Sequence, residues 1–360
     1  MALKLYERYV MRESFAAIFL VLAAFLALFS FFDLINELRS IGKGGYQFVH
    51  ALIFVLLSLP GRVYELIPIA ALIGTLYSLS ALARQSEITV LRASGLATRD
   101  LLVTLFKVAG VLALLTLLVG EAVMPFSERM AQELRTRAMT NVIALQGFNS
   151  GLWVKDGRSF VNIRTATPDA RLEGVRIYKF DADNALESVT DAKEGEFMPP
   201  DRWKLTGVVS MILEGDAARV EKKDALEWHS AVNPDLLSVL MVAPERMSLY
   251  GLFNYTRHLY ENKQKTERYE IAIWKKLIYP LAALVMVALA LPFGYSYNRV
   301  GGVSLKIFGG VMMGILFHML NGLFSSLGVI NSWPPFASAA MPSALFLVAA
   351  MGMLWWTERR

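Results

Sequence analysis

Arg39, Lys43, Arg62, Arg129, Arg135 and Arg137 stand beside long apolar runs in the first 140 positions. A guanidinium is a planar fork of donors that matches a phosphate two bonds at a time. A gathering of such groups at the edge of an apolar layer suits the phosphates of an anionic headgroup. It also has a plainer use, because long basic side chains snorkel toward water from the ends of membrane helices. Helical spacing separates the candidates. In the stretch 128–139, Glu133 stands four residues from both Arg129 and Arg137, which gives each an acidic neighbour on its own face. Arg135 has Ala131, Gln132, Ala138 and Met139 at those offsets, so it is expected to be the cation most open to a phosphate.

A second group is Arg84, Glu87 and Arg92, in a short polar stretch between two apolar runs. Arg84 and Glu87 are three residues apart and can pair on one helical face. The segment 86–91 is compatible with a short helix. Such a helix can dock in a cleft of a partner and transmit its movement, or it can be an ordinary juxtamembrane salt bridge. A third group, Gly310, Gly314, His318 and Asn321, continues to Gly322 and Ser325 at three- and four-residue steps. Small residues let helices approach closely, and a His or Asn is costly against lipid, so this stripe should face protein or a wet cavity. Tight packing is the favoured reading, with a proton relay as the alternative.

Other chemistry is excluded. The chain has no cysteine and four scattered histidines, which leaves no thiolate site and little material for zinc. No Gly-x-x-x-x-Gly-Lys-Ser/Thr run exists, and Lys43 in Ile-Gly-Lys-Gly-Gly lacks both the first glycine and the hydroxyl residue. Ser159 and His229 sit in polar, strand-like stretches with nothing to link them as nucleophile and base. No catalytic residue, metal site or cofactor is expected in this polypeptide.

These groups must be positioned by a membrane protein. The 360 residues are 55% hydrophobic and only 19% charged, with a net charge of +5. Soluble domains carry about 25% charged residues. A spanning helix needs about 20 mostly apolar residues. Six stretches qualify, at 15–35, 63–83, 101–123, 271–293, 303–327 and 336–356. They divide the chain into an N-terminal membrane half, 1–125, a polar insert, 126–268, and a C-terminal membrane half, 269–360. The apolar stretch 48–60 is too short to span, and Pro60-Gly61 should end it, so it is expected to lie at the interface or to join the second span. Glu121 and Lys107, near opposite ends of the third span, are expected to snorkel.

Lys and Arg concentrate in cytoplasmic loops. Lys4, Arg8 and Arg12 precede the first span, Arg84, Arg92 and Arg99 follow the second, Arg299 and Lys306 follow the fourth, and the chain ends Arg359-Arg360. This places both termini in the cytoplasm and the insert outside it. The first apolar run reads as a signal anchor that is retained. The insert alternates with period two at 175–180 and again at 203–209 and 226–229, with a hairpin signal at Asp156-Gly157. It is expected to be an all-β sandwich or open barrel.

Three stretches carry a resemblance: Ala83-Arg-Gln-Ser-Glu-Ile-Thr-Val-Leu-Arg-Ala-Ser-Gly95, Ile67-Pro-Ile-Ala-Ala-Leu-Ile-Gly74 and Gly151-Leu-Trp-Val-Lys-Asp-Gly157. With the three-plus-three layout, they make the chain similar to the lipopolysaccharide-export permease family (LptF/LptG), nearer the G branch than the F branch. The resemblance implies an inner-membrane ABC transporter of Gram-negative bacteria. It implies a paralogous permease partner LptF, a cytoplasmic ATPase dimer LptB that binds the ATP, a single-span partner LptC, and an indirect link to the periplasmic bridge LptA. It implies a jelly-roll-like periplasmic domain and a ring of cations that binds lipopolysaccharide near the positions above. It also makes 84–95 the coupling helix, with Glu87 the contact to the ATPase. The competing reading is a mechanotransmission or envelope-assembly protein that does not itself carry lipid.

Overall fold

The structure, a computed structural model, describes residues 4–43, 45–95, 98–139, 152–167, 171–181, 185–199, 201–214, 217–230, 243–295 and 303–358. Arg299, Arg359 and Arg360 lie outside the described residues. The N-terminal membrane half contains α1 (Leu5–Leu38), α2 (Phe48–Arg84), the short α3 (Glu87–Ala93) and α4 (Thr98–Leu118). A π-helical segment, Val119–Val123, joins α4 to α5 (Met124–Ala138). After the insert come a 3-10 turn at Pro244–Arg246 and α6 (Leu249–Glu261), then α7 (Glu267–Tyr295), α8 (Val303–Ile330) and α9 (Pro335–Glu358). Six of these helical stretches are long and apolar enough to cross a membrane.

The segment 48–60 is not a separate interfacial helix. It is the first third of α2, which runs through both Pro60 and Pro68. A proline removes one backbone bond, but in an apolar layer every alternative to the helix leaves more groups unpaired. Side-chain bonds reinforce the turns beside the two prolines. Ser58 Oγ donates to the Phe54 carbonyl at 2.9 Å, and the Tyr279 hydroxyl donates to the Glu65 carbonyl at 2.7 Å. At 37 residues α2 is roughly 55 Å long, well beyond the ~30 Å apolar core.

Burial ranks the helices. In the most apolar window of α2, 78% of residues are buried, against 17% in both α1 and α8. Helix α2 is therefore the central post, packed by α1, α5, α7 and α8. At the α1 contact Gly74 is essential, because a Cβ there would come within 2.5 Å of the Ile18 backbone. Helices α1 and α8 keep broad apolar faces, including Phe19, Leu20 and Met319, turned outward.

The insert forms one antiparallel sheet: β1 (Leu152–Asp156), β2 (Ser159–Thr167), β3 (Arg171–Phe180), β4 (Leu186–Met198), β5 (Arg202–Glu214) and β6 (Ala217–His229). Every strand pairs with its neighbour in sequence. Among the described residues this is an up-and-down order in a single sheet rather than a two-sheet sandwich. The β1–β2 turn pairs Asp156 with Ser159, and Gly157 takes the positive φ of 58° that a two-residue hairpin loop requires. One face buries Val161, Ile163, Leu172, Trp203 and Leu205.

Candidate functional site

At the end of the bundle that carries the sheet, helix ends bring charges together from distant parts of the sequence. Arg62 of α2 grips Asp33 of α1 with two bonds, at 2.6 and 2.8 Å, and reaches Glu65 at 3.0 Å. Arg135 of α5 lies 3.4 Å from Glu37 of α1, with its guanidinium over the Phe54 ring. The buried Glu37 also accepts the Tyr46 hydroxyl at 2.8 Å. Arg135 thus has an acidic neighbour that its own helix does not supply, while its buried Nε forms no hydrogen bond among the described residues. Its acidic partner lies almost one hundred residues upstream, on another helix, where helical spacing within 128–139 cannot find it. Arg137 is exposed and already engaged. Arg39, Lys43 and Arg129 are exposed, and none of the three forms an ion pair among the described residues.

A second cluster lies beside the first. The π-helical segment turns Glu121 toward α6 and α7. Its carboxylate accepts the Leu249 backbone N–H, the first of α6, at 3.0 Å and pairs with Lys276 at 3.1 Å. Lys276 also donates to the Met247 carbonyl. Arg246 holds both oxygens of the buried Glu128 at 3.0 Å and approaches Glu65 at 3.8 Å. Glu121 therefore does not snorkel but ties the third span to the connector of the sheet. Nor does Lys107 snorkel, because it pairs with Glu7 of α1 at 2.8 Å.

These groups surround a cavity of about 330 Å³. Its walls include Glu65, Glu245, Lys275, His318, Asn321 and Ser325. Lys275, Lys276, Glu65 and Arg246 escape the sequence reading. The only signal for the two lysines is Trp-Lys-Lys-Leu at the start of an otherwise apolar run. In α8, a Cβ on Gly310 would strike Leu76 and one on Gly314 would strike Ile69, both of α2. Asn321 turns its amide back to the Phe317 carbonyl at 3.1 Å, and His318 is exposed on the cavity's α8 wall. No group of three or more potential metal ligands occurs among the described residues.

At the opposite end, α2 stops at Arg84, and Ser86 turns the chain with a φ of 62°. Glu87 then begins α3, so Arg84 and Glu87 do not share a helical face. Glu87 instead accepts the Tyr9 hydroxyl at 2.8 Å. Ile88 anchors α3 in the core beside Val10, Leu82 and Leu105, while Val90 stays 66% exposed on its outer side. Arg92 lies on α3 as well. The short helix is thus fastened to α1 and α2 and leaves an apolar side chain outward.

Six apolar spans around a polar sheet insert define a multi-pass membrane protein with an inserted β domain. The family described as "Lipopolysaccharide export system permease LptF/LptG" matches residues 8–357. The chain is 32% identical over 354 residues to the lipopolysaccharide export system permease protein LptG of Escherichia coli K12, covering 97% of each. It is 30% identical over 355 residues to LptG of Haemophilus influenzae, covering 98% of each. The chain belongs to the LptF/LptG permease family.

Proposed function

We propose that this chain is the G-type membrane subunit of a lipopolysaccharide exporter, lifting lipid from the inner membrane toward a periplasmic carrier. The family match along almost the entire chain carries the reading. Membership makes it a multi-pass permease component rather than an enzyme. In this reading ATP is bound and hydrolysed by a separate LptB dimer, and the second permease is LptF. LptC and, indirectly, LptA complete the route. Both termini face the cytoplasm and the sheet faces the periplasm, in keeping with the basic residues that flank the spans.

The geometry divides the labour among the cations. Arg62 is held by two bonds to Asp33 and Arg135 pairs with Glu37, so they position α1 against α2 and α5. The exposed Arg39, Lys43 and Arg129 are the groups left to meet lipid phosphates. Helix α3, with Val90 outward and Glu87 fixed to Tyr9, passes ATPase movement to α1 and α2. The test is photo-crosslinking of lipopolysaccharide to the assembled complex at fixed salt. Arg39→Glu with Lys43→Glu should reduce capture about tenfold or more, since a charge-assisted contact is worth about 1.5–3 kcal/mol. Arg135→Gln should lose less capture than that pair. Full capture by the double variant would remove these cations from the lipid site.

A further inference from the structure

The cavity beside the sheet connector holds two charges of opposite sign that form no ion pair among the described residues. Its other ionic walls are engaged: Lys276 with Glu121, Arg246 with Glu128, and Glu65 with Arg62. Lys275 has no hydrogen bond or ion pair among the described residues, although it is partly buried in the wall. Glu245 also lines the cavity and forms no ion pair among the described residues. Glu245 and Glu65 are the acids that face Lys275, yet neither comes within salt-bridge distance of it. An ammonium and a carboxylate that share one cavity without touching leave a gap shaped for a ligand with both charges.

We propose that this cavity binds the headgroup of a zwitterionic phospholipid, with its phosphate on Lys275 and its primary ammonium on Glu245. The volume suits it, since about 330 Å³ admits a small headgroup but not a sugar chain. Access suits it too. His318, Gly322 and Ser326 are exposed on α8, so the cavity opens along a helix with an apolar outer face. Asn321 gives one amide N–H to the Phe317 carbonyl and keeps the second for the phosphodiester. A purely anionic headgroup would satisfy Lys275 but meet Glu245 and Glu65 unfavourably. This site is separate from Arg39, Lys43 and Arg129 and does not depend on what those residues bind.

The test uses the full-length protein, purified with its co-purifying subunits and exchanged into nanodiscs. The discs contain equal parts of phosphatidylethanolamine and phosphatidylglycerol, and retained lipid is counted by native mass spectrometry. The wild type should retain phosphatidylethanolamine preferentially. Lys275→Met should reduce its retention about tenfold, the loss of one charge-assisted contact. Glu245→Gln should remove the preference while leaving phosphatidylglycerol retention unchanged or higher. Glu245 is exposed, so that variant tests the site even if Lys275→Met folds poorly. Equal retention of the two lipids by the wild type would overturn the proposal, as would an unaltered preference in Glu245→Gln. Added lipopolysaccharide distinguishes the sources. If it displaces the retained phospholipid and its own binding falls equally in Lys275→Met, the occupant is lipopolysaccharide and the phospholipid assignment fails.

Discussion

Two regions of this molecule use the same ion pair, an arginine on a carboxylate, in opposite settings. On the sheet, Arg176 meets Asp191 across β3 and β4 with both side chains about half exposed. At the membrane edge, Arg246 meets Glu128, whose side chain is only 3% exposed. Water already solvates the first pair, so forming it changes little. The second has been withdrawn from water, and its members depend on each other. The sheet therefore carries its charges as a solvated surface, whereas the bundle uses them to fasten helices. Asp33–Arg62, Glu37–Arg135, Glu128–Arg246 and Glu121–Lys276 together connect α1, α2, the third span and α7.

The largest effect should come from breaking one member of the buried set. Glu128→Ala leaves Arg246 without its two-oxygen partner, and removing one side of a buried pair costs about 3–5 kcal/mol. Thermal unfolding of the purified protein should show a lower midpoint and a smaller folded yield. Glu128→Gln combined with Arg246→Met removes both charges and should recover most of the loss. If the single and double variants unfold alike, the pair does not behave as a buried one and the contrast with the sheet collapses.

That cluster also marks what the sequence could and could not reveal. The six spans were legible because apolar runs of about 20 residues have few other uses. The hairpin at Gly157 was legible because its turn needs a positive φ. The charge partners were not, because Glu37 and Arg135 are brought together by α1 and α5 each packing on α2, not by any period along one helix. Strand β4, Leu186–Met198, was missed for a related reason. Its acids Glu187 and Asp191 look like loop residues until Lys179 and Arg176 of β3 stand opposite them. Likewise Pro60 appeared to end a helix that its neighbours keep intact. Candidate cations were thus readable by type and place, and their availability was not.

A second comparison separates two lysines within the spans. Lys276 is 4% exposed and serves both Glu121 and the Met247 carbonyl, whereas Lys107 is 40% exposed and serves Glu7. Lys276→Met should cost about 1.5–3 kcal/mol, the usual range for charged hydrogen bonds. Lys107→Met should cost under about 1 kcal/mol. Because Glu121 also caps α6, the first change should raise amide exchange at Leu249 and the second should not. Equal exchange in the two variants would separate Glu121 from the seating of the connector.

The junction between sheet and connector should respond to pH. Asn262, which caps the C-terminus of α6, accepts the Gly157 N–H at 3.1 Å and lies beside the buried His258. Burial holds the His258 pKa below its ordinary value, against the opposing pull of Asp156 and Glu261. The folded protein therefore binds this proton less readily than the unfolded chain. The stability involved is fully present above about pH 6.5, the unfolded value, and falls away as pH drops through the folded one. Unfolding midpoints measured from pH 7.5 to 5.5 should decline in the wild type more than in His258→Gln. Parallel curves would mean that His258 titrates as it does in water.

The smallest effect belongs to the exposed pair on the sheet, and its smallness is the point. Arg176→Ala and Asp191→Ala each remove an exposed charge near the middle of paired strands, where backbone bonds to both neighbours remain. Coupling between the two, from a double-mutant cycle of unfolding free energies, should lie in the range of about 0.2–1 kcal/mol and shrink as salt is raised. Two other pairs on the sheet, Lys179–Glu187 and Arg202–Glu227, are also exposed and should give similar values. Part of any single-variant loss will come from the long arginine stem lying on the sheet rather than from its charge. The cycle cancels that part, because the stem is lost on both of its arms. A coupling of 3 kcal/mol or more, as expected of a pair removed from water, would place this face of the sheet against something that excludes water. Arg176 and Asp191 would then mark a covered surface, and the distinction between sheet and bundle would have to be redrawn around what covers it.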